Sequence, residues 1–435
     1  MSPSRSPRTP LRRAEIVIDL AAIRHNVTRL RDHVRTPIMT VVKADGYGHG
    51  LVEAGRAARE GGADWLGVAS ADEALALREA GDAGPLLAWL IMPSEPAEAL
   101  VAANIDVTAY TVADLDKFAA AGDALGLTPR VQLKVDTGLA RGGSSFAEWS
   151  NLVGRARILE AERAIRVTGI WSHFSASEDP ADLTSGLQEK VFAEAVAIAE
   201  QAGLRPEVRH LANSAGALLR PGARLDLVRV GIATYGIDPA PGVEGSPWAD
   251  LGLVPAMTVR AELALVKRVD AGAGVSYNHT WVAEEATTVG LIPVGYAEGI
   301  QRSAGNRASV WVDGARRPVR GTVCMDQFMV DLGDAEVEPG AEVVLWGTGA
   351  AGEPTAQDWA EASETIAYEV VTRIGGRMKR RYIDSDQAEV RADDRADVRA
   401  DVRDDVRADV RADVRDDDVI TASGSESPSA QGDDR

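Results

Sequence analysis

The chain has 435 residues, of which 45% are hydrophobic, and a formal net charge of −19 at pH 7. This length predicts two or three domains with a large buried core, and the negative charge argues against a nucleic-acid partner because a polyanion would be repelled. Cys324 is the only cysteine, which excludes internal disulfides and a cysteine-based zinc site and fits a reducing cytoplasm.

The two ends of the chain differ in composition from the middle. Residues 1–13 hold four arginines and three prolines but no apolar segment, which indicates a disordered basic lead rather than a signal peptide. From Arg391 to Arg415 an arginine recurs every four residues, and on a helix this spacing would place like charges side by side. Residues 385–435 are therefore predicted to be a disordered acidic tail, with partner binding as the less favoured alternative. No apolar run approaches the ~20 residues of a membrane span, so no membrane partner is expected.

Residues 14–240 alternate regularly between short apolar, β-branched runs and alanine-rich amphipathic segments. The runs predicted as strands are 37–44, 65–70, 86–92, 106–111, 130–137, 166–174, 207–212 and 225–230. The predicted helices include 50–60, 71–80, 96–103, 113–125, 146–162 and 187–202. Eight strands, each followed by a helical segment, predict an α/β domain that forms a (β/α)8 TIM-like barrel.

The pattern changes after Asp238, where a linker rich in glycine, proline and serine begins. Strand-like runs then follow without a long helical pattern until residues 355–374, at 257–269, 286–293, 308–312, 325–332 and 342–346. Residues 251–384 are therefore predicted to form a mainly β C-terminal domain. The early run 15–20 is a candidate to pair with this domain.

Lys43 ends the first predicted barrel strand and precedes the glycine-rich stretch 44–50. Desolvation against an apolar wall favours the neutral amine, which can attack a carbonyl. Lysines of this kind form Schiff bases, including those with pyridoxal phosphate. The alternative is a lysine whose stem covers the core while its head reaches water.

More polar residues are predicted at the same end of the barrel, where the catalytic groups of such barrels gather. They are Lys134, Asp136 and Arg141 around the fifth strand, His173 at the sixth, His210, Asn213 and Ser214 at the seventh, and Arg229 and Gly231 at the eighth. The loops after the last two strands commonly bind phosphate, although an ordinary helix cap is the alternative for Asn213 and Ser214. A Schiff-base lysine beside a phosphate site indicates pyridoxal 5′-phosphate as the cofactor, and no metal is expected.

Several motifs carry a resemblance to a known family. They are VKADGYGHG at 42–50, KVDTG at 134–138, HLANS at 210–214, VRVGI at 228–232, VSY at 275–277, VGYA at 294–297, CMDQ at 324–327 and AYE at 367–369. In this order, over about residues 16–381, they resemble the alanine racemase family. The resemblance implies the barrel and β domain just described. It also implies interconversion of L-alanine and D-alanine by two-base racemisation of a pyridoxal phosphate external aldimine, in a cytoplasmic homodimer with shared active sites that supplies D-alanine for peptidoglycan.

The resemblance also implies roles for individual residues. Lys43 would hold the cofactor and act as one base, and Tyr277 from the second subunit would be the other. Arg229 would face the pyridine nitrogen, oriented by His210, while Arg141 and the amide of Met325 would receive the substrate carboxylate. The phosphate would lie among Tyr47, Ser214, Gly231, Ile232 and Tyr368. Further cofactor contacts would be His173 and Asn213, and the supporting residues would be Lys134, at a position often carbamylated in the family, Cys324, Asp326 and Tyr296.

The chemistry accounts for these residue types. Racemisation removes the α-proton from one face and returns one to the other, so each face needs a base. A tyrosine can serve only if neighbours lower its pKa from about 10, and His173 is a candidate neighbour. An arginine at the pyridine nitrogen stays protonated and leaves the ring a weaker electron sink, which disfavours transamination and decarboxylation.

Two departures from the family pattern concern the entrance to the site. Thr322 stands where the family often has an arginine, and Glu298 replaces a frequent aspartate.

Three other functions are less favoured by the sequence. A racemase for a larger amino acid such as serine or lysine is disfavoured by Tyr368, which narrows the pocket. A non-catalytic cofactor carrier would not need Tyr277, and a decarboxylase would carry an acidic residue in place of Arg229.

Overall fold

The computed structural model describes residues 13–95 and 97–384. Apart from Arg13, the predicted lead and tail lie outside the described residues. The elements up to the domain linker are β1 (Ala14–Asp19), α1 (Leu20–Val34), β2 (Ile38–Val41), α2 (Lys43–Tyr47), α3 (Leu51–Glu60), β3 (Trp65–Val68), α4 (Ala71–Glu79), β4 (Leu86–Ala88), α5 (Ala97–Ala102), β5 (Asp106–Ala109), α6 (Val112–Leu125), β6 (Arg130–Lys134), α7 (Phe146–Ala161), β7 (Arg166–Trp171), α8 (Thr184–Gln201), β8 (Val208–His210), α9 (Ser214–Leu219) and β9 (Val228–Val230).

Strands β2 to β9 form one parallel sheet in which neighbours in sequence are neighbours in space, and β2 pairs with β9. Backbone hydrogen bonds from Asp226 to Arg209 and from Arg229 to Ala212, of 3.2 and 2.9 Å, join the last two strands. The predicted (β/α)8 barrel is thereby confirmed. Its strands are shorter than predicted because the chain turns away from the sheet soon after each carboxyl end, so that Lys43 lies two residues beyond β2.

The second part of the chain is mainly β, as predicted. Its elements are α10 (Trp248–Leu251), β10 (Met257–Glu262), β11 (Leu265–Val269), β12 (Gly274–Val275), β13 (Trp281–Val282), β14 (Thr287–Ile292), β15 (Ser309–Val312), β16 (Ala315–Arg320), β17 (Phe328–Gly333), β18 (Glu342–Trp346), α11 (Ala356–Ala362), α12 (Ala367–Arg373) and β19 (Lys379–Ile383). Nine strands make one sheet in the order β11-β14-β17-β16-β15-β18-β10-β1-β19.

Strand β1 lies inside this sheet, so the early run does pair with the second domain. It is antiparallel to β10 and parallel to β19. Ile16 and Ile18 on β1 are fully buried, because their side chains join the apolar core. The N-terminal strand is thus held by the C-terminal sheet before the chain enters the barrel.

Other segments of the second domain differ from the expectation. Residues 257–269 are two strands, and residues 355–374 are two short helices. Strands β16 and β19 were not predicted, since arginines and Pro318 interrupt their apolar pattern. These arginines have polar partners in the structure, because Arg380 pairs with Asp45, Arg381 pairs with Glu15, and Arg317 donates to the carbonyl of Leu332. None of the helices in the described parts of the chain is long and apolar enough to cross a membrane.

Candidate active site

A cavity of about 540 Å³ opens at the carboxyl ends of the barrel strands. It gathers most of the residues that the sequence predicted for the site, namely Lys43, Tyr47, Lys134, Arg141, His173, Asn213, Ser214, Arg229, Gly231, Ile232 and Tyr368. The prediction missed Trp89, Trp171, Glu369 and Thr372, which also line it. Glu369 and Thr372 lie on α12, a helix of the second domain, so the cavity wall is completed by both domains.

The turn that carries Lys43 is left-handed. Ala44, Asp45, Gly46 and Tyr47 have φ angles of 52°, 55°, 63° and 53°. Each non-glycine residue in this conformation costs roughly 1–2 kcal/mol. The turn is held from both sides, because Glu73 accepts a 2.6 Å hydrogen bond from the amide of Ala44 and Arg380 of β19 pairs with Asp45 at 2.5 Å. Lys43 therefore sits on a strained turn that two other elements hold in place.

The surroundings of Lys43 favour its neutral amine. Burial lowers the pKa of Lys43, and the nearby positive charge of Arg141 lowers that pKa further, while Glu73 opposes the shift. Its Nζ lies 5.8 Å from the centre of the Trp89 ring. A neutral amine is the form that attacks carbonyl carbon.

The cavity carries an excess of positive charge. Lys43, Lys134, Arg141 and Arg229 line it, and Glu369 is the one acidic residue among its described lining residues. Burial, followed by the charges of Arg229 and Arg141, lowers the pKa of Lys134 to about 7. Burial lowers the pKa of Arg229 to about 9, so that residue remains protonated at neutral pH. A cavity of this sign attracts an anionic ligand.

Arg229 is held by neutral acceptors. Its guanidinium donates to Nδ1 of His210 at 3.0 Å and to the carbonyls of Ser172 and Leu211 at 2.7 and 3.0 Å. Nη2 also lies 3.1 Å from Nδ1 of His173. His210 is fully buried and does not itself line the cavity, so it acts on the site through Arg229.

The contact with Arg229 assigns the proton of His173. A guanidinium can only donate, so Nδ1 of His173 accepts and the ring proton is on Nε2. Burial and the adjacent Arg229 charge lower the pKa of His173 well below its ordinary value, which keeps the ring neutral. His173 therefore offers one N–H donor, on the side of the ring away from Arg229.

The end of the cavity between β8 and β9 is narrow. Ser214 Oγ accepts a 2.9 Å hydrogen bond from the amide of Gly231, and a Cβ at Gly231 would lie only 2.4 Å from the Tyr47 hydroxyl. Asn213 lines the cavity, but its Oδ1 accepts from the amide of Gly216 and the hydroxyl of Ser177. The side-chain oxygen of Asn213 is thus used as a helix cap, which was the alternative considered for it.

The remaining predicted residues do not line this cavity. Tyr277, Met325, Cys324, Asp326 and Tyr296 all belong to the second domain. Tyr277 is 67% exposed and Met325 is 54% exposed. Asp326 is paired with Arg377 at 2.6 Å, and Arg377 also pairs with the buried Glu298. The predicted second base is therefore separate from the cavity of its own chain.

The turn at residues 276–280, here called the Tyr277 turn, has an unusual backbone. Ser276, Asn278 and His279 have φ angles of 63°, 63° and 45°. The Thr322 hydroxyl donates to the carbonyl of Tyr277 at 3.2 Å, and Ser276 Oγ donates to the carbonyl of Thr322 at 2.6 Å. Thr322, which the sequence predicted only as an entrance residue, thus holds this turn in place through two hydrogen bonds.

Comparison with protein-family models decides the family. The model of the alanine racemase N-terminal domain matches residues 18–239, and that of the C-terminal domain matches residues 256–382. The chain belongs to the alanine racemase family. Members of this family are pyridoxal phosphate-dependent isomerases, and the fold and family predicted from the motifs are confirmed.

Relatives within the family are similar over nearly their whole length. The alanine racemase of Salinispora arenicola is 50% identical over 374 residues, which are 86% of this chain and 99% of that protein. A crystal structure of the enzyme from Streptomyces lavendulae superposes with a TM-score of 0.84 at 49% identity, covering 87% of this chain and 98% of that chain. The Bacillus anthracis enzyme with bound L-Ala-P, 32% identical, has a TM-score of 0.78 and covers 88% and 97% of the two chains.

The cavity fits the cofactor of the alanine racemase family. Lys43 supplies an amine for the aldehyde, and the cationic lining suits a phosphate dianion. Gly231 leaves room beside the Tyr47 hydroxyl that any larger residue would fill. The guanidinium of Arg229 is protonated and lines the cavity, and its Nη1 has one partner, His210, among the described residues, so a second Nη1 N–H remains that could meet a ring nitrogen.

Proposed function

We propose that this chain interconverts L-alanine and D-alanine on pyridoxal 5′-phosphate bound in the barrel cavity, and supplies D-alanine for peptidoglycan from the cytoplasm. The observation that carries the proposal is the position of Lys43 beside three other cations in the cavity. The cofactor, when bound, supplies an electron sink that acidifies the α-proton. All other steps fall to side chains of this chain.

Lys43 is proposed as the base on one face of the substrate. Burial and the charge of Arg141 lower the pKa of Lys43, which increases the fraction of neutral amine that can accept a proton. Arg141 would bind the substrate carboxylate together with the amide of Met325. Arg229 would donate to the pyridine nitrogen, and Tyr47, Ser214, Gly231, Ile232 and Tyr368 would hold the phosphate.

Tyr277 is proposed as the base on the other face, provided by a second copy of the chain. This rests on the exposure of Tyr277 and on its absence from the cavity lining of its own chain. Closed two-fold pairing would bring each Tyr277 turn to the cavity of the partner, so that both sites are shared. The same pairing would bring Met325 to that cavity.

His173 is proposed to assist the Tyr277 of the partner. The ring is neutral and carries its proton on Nε2, so it can donate to a phenolate oxygen. Arg229 on its other nitrogen keeps that proton in place. A donor to the phenolate oxygen lowers the pKa of tyrosine and so increases the fraction of phenolate, which is the form that accepts a proton.

Complementation between two inactive variants tests the shared site. Lys43→Ala and Tyr277→Phe are each purified, mixed, dissociated and reassembled with cofactor. In a mixed dimer one site lacks both bases and the other keeps both, so about one quarter of wild-type activity should return if assembly is random. No recovery, with mixed dimers shown by mass, would refute the sharing of Tyr277.

Solvent exchange tests the proposal that Tyr277 takes the α-proton from L-alanine and Lys43 takes it from D-alanine. The equilibrium constant of racemisation is one, so the overall kcat/KM values for the two directions must stay equal in any variant. The exchange of the α-proton in deuterium oxide is not bound by this equality. Tyr277→Phe should nearly abolish exchange from L-alanine and retain it from D-alanine, and an equal loss for both enantiomers would contradict the two-base mechanism.

A further inference from the structure

A chain of buried hydrogen bonds runs from Arg229 into the barrel interior. His210 Nε2 lies 2.7 Å from Oε1 of Gln132, and Nε2 of Gln132 lies 3.0 Å from Oδ2 of Asp106. Gln132 and His210 are fully buried, and Asp106 is 2% exposed. The chain therefore connects the rim, where Arg229 lies, with the amino-terminal end of β5.

The charged residue at one end, Asp106, sets the donor–acceptor direction of this series of hydrogen bonds. Arg130 donates to Oδ1 of Asp106 at 2.6 Å, so the carboxylate of Asp106 is paired with a cation. Because a carboxylate can only accept, the amide nitrogen of Gln132 must face Asp106 and its carbonyl oxygen must face His210. The ring nitrogen of His210 opposite Gln132 must therefore carry the proton.

Arg229, at the other end of the hydrogen-bond series, independently requires the same tautomer of His210. Arg229 can only donate, so Nδ1 of His210 must accept and the proton is again assigned to Nε2. The ring plane is fixed as well, because His210 stacks on Trp171 with a centroid distance of 5.5 Å and an interplanar angle of 7°. Two constraints from opposite ends of the barrel thus select one tautomer.

We propose that Gln132 and Asp106 are positioning residues that hold His210 in its Nε2–H tautomer and so keep its Nδ1 lone pair directed at Arg229. Without the carbonyl of Gln132, either tautomer leaves a buried group unpaired. The Nε2–H form loses its acceptor, and the Nδ1–H form turns a donor toward the guanidinium. The role of Arg229 as a cofactor contact rests on the proposed function. The tautomer assigned to His210 does not depend on that function.

The test compares two buried substitutions in the same network. Gln132→Met keeps the side-chain length but removes the acceptor of His210. Thr168→Val is the control, because Thr168 is equally buried and donates to Oδ2 of Asp106 at 2.6 Å without lying between Asp106 and His210. Nitrogen NMR of histidine-labelled holoenzyme, with His210→Asn for assignment, reads the tautomer directly. Cofactor titration and thermal unfolding are measured alongside it.

Both variants should unfold at lower temperature than the wild type, but only Gln132→Met should change the site. It should show a mixed His210 tautomer and an apparent cofactor dissociation constant raised roughly tenfold, the equivalent of about 1.4 kcal/mol. The contrary result would be that His210 in Gln132→Met stays in the Nε2–H form and that this variant binds the cofactor as tightly as Thr168→Val does. Gln132 would then contribute only to core stability, and the proposal would fail.

A measurement on the wild type keeps the test decisive if Gln132→Met does not fold. The wild-type holoenzyme should show His210 in the Nε2–H form only, and an Nδ1–H or a doubly protonated ring would overturn the proposal. Racemisation by the wild type is assayed separately. A wild-type protein without racemase activity would refute the proposed function and leave the tautomer result standing.

Discussion

The barrel cavity and the Tyr277 turn are built in opposite ways. Within the cavity, burial lowers the pKa values of Lys43, Lys134 and Arg229, and most of the predicted cofactor residues converge on it within one chain. The Tyr277 turn is exposed, strained, and apart from that cavity. The difference teaches that a single chain contains the cavity proposed for the cofactor and presents the proposed second base, Tyr277, outward.

The strain in the two regions is handled differently. The left-handed turn after Lys43 is held by Glu73 from the barrel and Arg380 from the second domain. The Tyr277 turn has no comparable enclosure and is held by the reciprocal hydrogen bonds of Ser276 and Thr322. An exposed turn needs such local hydrogen bonds to keep one conformation, because no core surrounds it.

The largest expected effect comes from removing the reactive amine of the cavity. Lys43→Ala should reduce racemisation by more than about 10³-fold, since it removes both a base and the cofactor linkage. Borohydride reduction should then no longer attach the cofactor to the chain. Covalently trapped cofactor at another lysine would show that the cavity is organised around a different residue.

A pH-dependent stability change should distinguish the buried cations of the cavity from surface charge. The folded pKa of Lys134 is about 7, below the ordinary value of 10.5, so the unfolded chain binds more protons between these values and stability rises with pH there. Nζ of Lys134 lies 5.4 Å from the centre of the Tyr110 ring and 4.3 Å from that of Trp171, and these contacts are lost on substitution. Lys134→Met should therefore stabilise the cofactor-free protein at pH 6–7 by a net amount on the order of 1–3 kcal/mol. The gain should fade toward pH 10.

Denaturant unfolding in bicarbonate-free buffer measures this effect, because a carbamate on Lys134 would remove the positive charge. Lys379→Met serves as the control, since Lys379 is exposed on β19. A gain of similar size in both variants, or one that does not decline with pH, would contradict the buried-charge explanation.

A smaller effect is expected at the clamp of the Tyr277 turn. Thr322→Val removes the hydroxyl that reaches the Tyr277 carbonyl and should slow α-proton exchange from L-alanine about threefold to tenfold, the worth of one hydrogen bond. Exchange from D-alanine should change less. Thr322→Ser, which keeps the hydroxyl, should behave as wild type, and equal losses in the two variants would show that the methyl group matters instead.

The smallest effect is expected from the tail. Deletion of residues 391–435 should leave the racemisation kinetics and the dimer mass unchanged, because the repeat spaces like charges without an apolar face. A changed kcat/KM or a shift toward monomer would assign the tail a role in one of the two halves of the site.

Residue patterns predicted much of the fold, and the motifs predicted the family. Eight apolar runs with intervening amphipathic segments were enough for the barrel, since burial of both sheet faces leaves a continuous apolar signal. Strands β16 and β19 were not predicted, because arginines and Pro318 interrupt their apolar pattern. The left-handed turn after Lys43 escaped as well, because glycines indicate where positive φ is allowed but not that Ala44, Asp45 and Tyr47 adopt it too.

Among the site residues, the sequence by itself determined chemical type and order along the chain. Lys43 was identified from its place after an apolar run, and Gly231 from its place in a phosphate loop. Only the tertiary structure decided what each side chain can do. It assigned Thr322 to the Tyr277 turn and Gln132 to His210, because these roles depend on contacts between residues far apart in sequence. It also left Tyr277 outside its own cavity, a separation that follows from how two domains pack and that no motif encodes.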